Sequence, residues 1–130
     1  LTLAELSPHT QERLRGIIAG AGTSVRNPVD IGLVIAGAPE LYRRALEATI
    51  LDPGVDAVVV IGGTTRGQDW ETHAEAMHGL SRRAAKPILQ VSFGPGDLVL
   101  DRAMARLGIP TFPSAERALR ACARVLRRDD

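Results

Sequence analysis

The chain has 130 residues, 45% of them hydrophobic, and its 16 basic and 15 acidic side chains leave a net charge of +1. This balance gives no electrostatic reason to expect nucleic acid or an anionic membrane as a partner. The length suits one domain with a single core, and the lone Cys122 excludes an internal disulfide. Since no apolar run approaches the length of a membrane span, the sequence predicts a cytoplasmic protein.

Helical and strand patterns alternate along the chain. Leu1–Leu6 alternates apolar and polar residues and predicts a short strand or its remnant. Ser7 and Pro8 begin a helix that we expect to end near Gly20. The further predicted elements are a helix from Pro39 to about Leu51, a central strand ending at Ile61, a helix from Gln68 to Arg83, a strand from Pro87 to Ser92, a helix containing Leu98 to Leu107, a short strand Thr111–Phe112 and a final helix reaching about Arg127. Strands separated by helices predict right-handed crossovers, and hence a flavodoxin-like three-layer α/β/α domain with a parallel sheet.

A glycine-rich loop follows the central strand. Gly62 and Gly63 end the strand, and Thr64, Thr65 and Arg66 precede the next helix. Free N–H groups and the dipole at a helix start favour an anion, and a guanidinium can hold phosphate or carboxylate with two hydrogen bonds. The alternative is that the glycines serve only the turn, since neither the Walker A nor the dinucleotide motif is present.

Other chemistry is sparse. The chain has three histidines, His9, His73 and His78. Their spacing fits no metal-binding motif, so no metal site is predicted. Asp30 follows Asn27 and Pro28 in an irregular segment that could fold over the carboxyl end of the sheet. A simple turn remains the alternative there, because Asn-Pro and Asp are common turn formers.

A succession of short motifs covers nearly the whole chain. The motifs are LSPHTQERL at 6–14, VRNPVD at 25–30, DPGVDAV at 52–58, KP at 86–87, GIPTFPS at 108–114 and ERA at 116–118. In this order they resemble the flavodoxin-like CoA-ligase domain of the NDP-forming acyl-CoA synthetases. That group includes ADP-forming acetyl-CoA synthetase and succinyl-CoA synthetase.

This resemblance implies a function and a set of site residues. The family makes an acyl-CoA from a carboxylic acid, CoA and a nucleoside triphosphate, through an acyl phosphate and a phosphohistidine. In the succinyl-CoA synthetase branch, an Asn-x-x-Asp loop and a Gly-Gly-x-x-Arg turn face the phosphate. The matching positions here are Asn27 and Asp30, and Gly62, Gly63 and Arg66, with Thr64 and Thr65 in the variable places. These seven residues are the expected phosphate- or substrate-binding residues, and no catalytic residue is assigned.

The resemblance also implies partners. The CoA-binding, phosphohistidine-bearing and ATP-grasp domains of the family are not part of this chain, so the chain alone is not expected to be catalytic. CoA, ATP and Mg are expected for the parent enzyme, with no cofactor bound by this domain. Family members usually carry one more strand and helix before the point that matches Leu1. We therefore expect residues 1–130 to form a single domain, a fragment of a larger multidomain chain that lacks its first βα unit.

Two other functions remain open. A flavodoxin-like domain could hold FMN, although only Tyr42, Trp70, Phe93 and Phe112 are aromatic and a flavin usually has flanking rings. A non-catalytic structural or docking domain would have the same fold but no affinity for phosphate at the glycine-rich loop.

Overall fold

The structure, a computed structural model, describes residues 1–18, 20–32, 38–62, 70–92 and 98–126. The described helices and strands are α1 (Pro8–Arg15), α2 (Pro39–Ile50), β1 (Val58–Gly62), α3 (Trp70–Ala84), β2 (Ile88–Ser92), α4 (Leu98–Arg106), β3 (Thr111–Phe112) and α5 (Ala115–Leu126). The chain divides into two compact units, residues 2–56 and residues 57–130 together with Leu1. The expectation of a single domain stays a prediction. None of the described helices is long and apolar enough to cross a membrane.

The unit of residues 2–56 is built on α1 and α2, which pack on each other. Ser7 caps α1, because its hydroxyl accepts a hydrogen bond from the Thr10 amide at 3.2 Å. Pro8 is the first helical residue, where a backbone N–H group would have no acceptor within the helix. The predicted end near Gly20 is wrong, because the chain leaves the helix at Gly16 and closes a tighter turn in which the Ile17 amide donates to the Leu14 carbonyl at 3.0 Å.

Residues 2–6 do not form the predicted strand. Side-chain amides bond their backbone instead of a neighbouring strand. Asn27 Nδ2 donates to the Ala4 carbonyl at 3.0 Å, and Gln11 Nε2 donates to the Leu6 carbonyl at 2.9 Å. Of the apolar residues in the alternating pattern, Leu6 is buried, at 3% exposed, while Leu1 and Leu3 are exposed.

The second unit contains a parallel sheet in the order β1-β2-β3. On one face, Leu89 and Val91 of β2 pack against Ala118 and Cys122 of α5. The alternate residues of β2 point to the opposite face, where α3 and α4 pack on each other and on the sheet. Helices thus cover both faces of a parallel sheet, and the predicted three-layer α/β fold is confirmed, with Cys122 in the core as expected.

The central strand begins later than the apolar pattern suggests. β1 starts at Val58, whose amide donates to the Pro87 carbonyl at 3.0 Å, the first hydrogen bond between β1 and its neighbour. Val55 is buried, but its amide donates to the Asp52 carbonyl at 3.2 Å and so belongs to the preceding turn. An apolar run predicts burial in both places, whereas only the presence of a partner strand distinguishes the strand from the turn.

Candidate functional site

The carboxyl ends of β1 and β2 lie side by side. Gly62 ends β1 and is in register with Ser92, which ends β2. Loops that follow parallel strands leave the sheet at this edge, where ligands of open α/β sheets bind. Of the predicted phosphate-binding residues, Gly62 lies at this edge, whereas Gly63, Thr64, Thr65 and Arg66 lie outside the described residues.

Gly62 leaves space at the end of β1. A Cβ placed on this residue would have no heavy atom within 4 Å among the described parts of the chain, other than its chain neighbours. Its backbone carbonyl accepts a hydrogen bond from Gln90 Nε2 at 3.3 Å. Close packing by the described residues therefore does not require a glycine at this point.

Gln90 is a polar residue in the otherwise apolar interior of β2. It is 3% exposed, and its amide nitrogen donates to the carbonyls of Gly62 and Val91, the latter at 2.9 Å. Its Oε1 atom is buried and has no hydrogen-bond partner within the described portions of the chain. Sequence reasoning did not select this residue, although a glutamine flanked by Ile88, Leu89 and Val91 is a recognisable signal of a buried polar group.

Two further groups lie on the elements that leave this edge. The Ser92 hydroxyl donates to Asp101 Oδ1 on α4 at 3.4 Å. His73 lies in the first turn of α3, and burial lowers the pKa of its imidazole below the usual 6.5. Because His73 is consequently neutral at pH 7, it adds no positive charge for an anion. In the sequence, the cationic side chain nearest to the start of α3 on its amino-terminal side is Arg66, four positions before Trp70.

Asn27 lies in the unit of residues 2–56, where it stabilises the local backbone. It is half-buried, and its amide nitrogen holds the Ala4 carbonyl. It also forms part of the wall of a groove of about 200 Å³ whose other lining residues are Leu3, Ala4, Glu5, Leu6, Gln11 and Arg26. One of the two N–H donors of the Asn27 side chain is therefore already used by its own unit.

Asp30 closes the same loop. Its backbone pairs with Ser24 in an isolated antiparallel bridge, with N–H to O distances of 2.9 and 3.0 Å. Its carboxylate accepts a hydrogen bond from the Gly32 amide at 2.8 Å, which forms an Asx turn, and Gly32 has a positive φ of 68°. The structure brings Asn27 and Asp30 together in one closed loop, with Asp30 exposed to solvent.

Asp52 is a buried carboxylate that sequence reasoning treated only as part of a turn. It is 2% exposed and accepts hydrogen bonds from the backbone amides of Ser7 at 2.9 Å and Gly54 at 2.8 Å. Burial raises the pKa of the Asp52 carboxyl, but hydrogen bonds from Thr10, Gly54 and Ser7 outweigh burial and lower the pKa to about 2. Asp52 therefore joins the start of α1 to the turn after α2.

No metal centre occurs in the described residues, which contain no group of three or more His, Cys, Asp or Glu side chains placed to hold a metal ion. The candidate site is thus defined by Gly62, Gln90, Ser92 and Asp101 at the edge of the sheet, next to the predicted phosphate loop. The described residues of this arrangement offer backbone polarity, one hydroxyl and one carboxylate at the end of the sheet.

No protein-family model matches the chain. Among curated proteins, it is 29% identical over 133 residues to "Acetate--CoA ligase [ADP-forming] II" of Archaeoglobus fulgidus, covering 98% of this chain and 19% of that protein. It is 30% identical over 132 residues to a trans-feruloyl-CoA synthase from an unknown prokaryotic organism, covering 96% of this chain and 18% of that protein. The chain therefore spans about a fifth of the length of these relatives.

Two solved structures share the fold of this chain. A crystal structure from Pyrococcus horikoshii OT3 superposes with a TM-score of 0.70 at 31% identity, over 87% of this chain and 26% of that one. An acetyl-coenzyme A synthetase of Ca. Korarchaeum cryptofilum superposes with a TM-score of 0.66 at 22% identity, over 88% of this chain and 25% of that one, and supports the fold alone. The chain is therefore homologous to one segment of the NDP-forming acyl-CoA synthetases, the family that its motifs resemble.

Proposed function

We propose that this chain is the phosphate-facing domain of an NDP-forming acyl-CoA synthetase. The parent protein would convert a carboxylic acid, CoA and a nucleoside triphosphate into an acyl-CoA, a nucleoside diphosphate and phosphate. The observation that carries the proposal is the match of 98% of the chain to an ADP-forming acetate–CoA ligase, with the Gly-Gly-x-x-Arg motif starting at the carboxyl end of β1.

The proposed role of the loop is electrostatic. Gly62, Gly63, Thr64, Thr65 and Arg66 would contact phosphate or acyl phosphate through backbone N–H groups, hydroxyls and the guanidinium. Phosphoryl transfer requires positioning and stabilisation of charge more than covalent participation by the protein. The absence of a side chain at Gly62 supports this role, because an anion can approach the backbone closely only where no side chain intervenes.

Asn27 and Asp30 would also contribute to the binding of phosphate or substrate. The hydrogen bonds between Asn27 and Ala4 and between Asp30 and Gly32 support this role, because these bonds fix the shape of the loop of residues 24–30. The phosphohistidine and the binding sites for CoA, ATP and Mg would lie in the other domains of the cytoplasmic parent enzyme. Acetate and ferulate, the acids named by two relatives, are the first substrates to test.

The test is acyl-CoA formation by the full-length protein that carries this chain. Release of nucleoside diphosphate would be followed with ATP or GTP, CoA and a panel of short and aromatic acids that includes acetate and ferulate. We expect Arg66→Ala to lower the rate about a hundredfold, as for the loss of one preorganised charge contact.

Arg82→Ala is the matched control, because it removes the same charge from an exposed position in the last turn of α3. It should leave the rate within about twofold, as exposed charges contribute little. Equal rates for Arg66→Ala and wild type would reject the phosphate role and favour a structural or docking domain. A wild-type protein with no turnover on any acid would reject the enzymatic function itself.

A further inference from the structure

The groove of about 200 Å³ in the unit of residues 2–56 has two charged residues in its wall, Glu5 and Arg26. Both are exposed, and neither side chain forms an ion pair or a hydrogen bond with any described residue. Within the described parts of the chain, the groove therefore offers one cation and one anion that a ligand can contact.

Two side-chain amides in the same wall are held in place by their own unit. Asn27 Nδ2 donates to the Ala4 carbonyl at 3.0 Å, and Gln11 Nε2 donates to the Leu6 carbonyl at 2.9 Å. Each amide carries a second N–H group, for which the described ranges supply no partner. Because the amides are already ordered, a ligand that uses these donors would not have to immobilise them.

Arg26 is anchored at its backbone beside these amides. The Ser24 hydroxyl accepts a hydrogen bond from the Arg26 amide at 3.2 Å and donates one to the Arg26 carbonyl at 3.1 Å. Ser24 also pairs with Asp30 in the bridge that closes the loop. The guanidinium thus extends from a fixed point of the wall, and its planar shape suits a carboxylate, which it can hold with two hydrogen bonds.

The two charges indicate the class of ligand. Arg26 attracts one negative group, whereas Glu5 repels further negative charge, so a singly charged carboxylate fits better than a nucleotide or a phosphate dianion. A ligand that covers the Glu5 carboxylate has to bring a donor to it, because desolvating a charge without a hydrogen bond is costly. A carboxylic acid that also carries a hydroxyl or ammonium group meets both requirements.

We propose that this groove binds such an acid, with Arg26 holding the carboxylate and Glu5 accepting a hydrogen bond from the hydroxyl or ammonium group. The inference rests on the proposed function, in which Asn27 of the same wall contributes to binding and the acid is the substrate. Ferulate has a phenolic hydroxyl group and belongs to this class, whereas acetate has no such donor. Glu5 and Arg26 are therefore the residues that select among acids.

Calorimetric titration of the full-length protein with matched acids tests the inference without turnover. Pentanoate, γ-hydroxybutyrate and γ-aminobutyrate have the same length and end in a methyl, a hydroxyl and an ammonium group. Ferulate and its phenolic methyl ether form a second set, in which methylation removes the donor. A donor-bearing acid should bind about fivefold or more tightly than the matched acid without the donor. Equal affinities within both sets would overturn the inference, and so would a failure to bind any of these acids.

Variants of the two charged residues test the same point from the side of the protein. Arg26→Ala should weaken the binding of every acid about tenfold or more, because a charge-assisted contact is lost. Glu5→Ala should abolish the preference for the donor-bearing acid. Arg13→Ala is the matched control, since Arg13 is exposed in the same unit but does not line the groove, and it should leave all affinities within about twofold.

These variants change exposed side chains, which fold stability tolerates well. Binding by Arg26→Ala that equals wild type would overturn the inference, as would a preference for the donor-bearing acid that persists in Glu5→Ala.

Turnover separates this inference from the proposed function. If wild type forms acyl-CoA and Arg66→Ala does not, while Arg26→Ala binds acids as wild type does, the phosphate role stands and the role of the groove is removed. If wild type binds the acids with the expected preference but converts none of them, the proposed function is rejected while the groove remains a binding site for these acids.

Discussion

The two compact units use their polar groups differently. In residues 2–56, Asn27, Asp30 and Asp52 each make hydrogen bonds to the backbone of their own unit. At the carboxyl edge of the sheet in the second unit, Gly62 leaves open space and Gln90 keeps an acceptor without a donor in the described residues. Bonds already made within a unit stabilise it, whereas a buried acceptor without a donor costs stability. The comparison teaches that matching a family motif does not by itself separate a supporting residue from a binding one.

The largest expected effect concerns Asp52. Asp52→Ala removes an acceptor from the amides of Ser7 and Gly54 and leaves these groups without their charged partner. We expect a loss of about 3 kcal/mol in the stability of residues 2–56, since hydrogen bonds to a buried charge are among the strong ones. Hydrogen exchange of the α1 amides, measured by mass spectrometry on the full-length protein, would report the loss locally.

Asp56→Ala provides the matched control for that experiment. Asp56 is exposed, four positions further along the chain, so the same substitution should leave exchange in α1 nearly unchanged. Similar exchange rates in the Asp52 and Asp56 variants would contradict the stabilising role of Asp52, and with it the contrast between the two units.

The pH dependence of stability should reflect the same carboxylate. Because the pKa of Asp52 is lowered from 3.8 to about 2 in the folded protein, its ionised form favours folding. Its contribution, about 2 kcal/mol, is complete above about pH 4 and is lost as the pH falls through the folded pKa. Urea unfolding of wild type and Asp52→Asn between pH 5 and 2, at about half-unit steps, should therefore show the difference in stability shrinking at the acidic end. A difference that stays constant with pH would exclude this titration.

Local patterns predicted most of the fold. The helical period and Pro39 predicted the bounds of α2, and the prolines on either side of Thr111–Phe112 predicted those of β3. Both signals act over a few neighbouring residues. Gly62 was selected as a site residue from a contiguous motif, and its binding role stays a prediction. What the sequence did not predict depends on residues far apart. Asp52 bonds Ser7 across 45 positions, and Gln90 bonds Gly62 across 28, and no local pattern shows either pairing.

The smallest expected change in stability concerns Gly62, which can be compared with Gly54 of the other unit by the same substitution to alanine. The methyl group of Gly62→Ala would meet no atom of the described residues within 4 Å, and Gly62 does not have a positive φ, so the stability of the protein should change by no more than about 0.5 kcal/mol. Gly54→Ala would bring its Cβ within 3.3 Å of both Asp52 Oδ1 and the Glu5 carbonyl, which should destabilise residues 2–56 by about 1 kcal/mol.

The activity of the full-length protein should fall more in Gly62→Ala than in Gly54→Ala, which is the reverse of the order expected for stability. The methyl group of Gly62→Ala would lie where we propose that phosphate approaches the backbone, and displacement of a reacting group should lower acyl-CoA formation about tenfold or more. Gly54→Ala should leave activity near the wild-type value at temperatures where the protein stays folded. Measuring unfolding midpoints and turnover for both variants in parallel separates the two roles. Full activity in Gly62→Ala would mean that the space at the end of β1 is not used by the reactants, even if the fold and the family relationship stand.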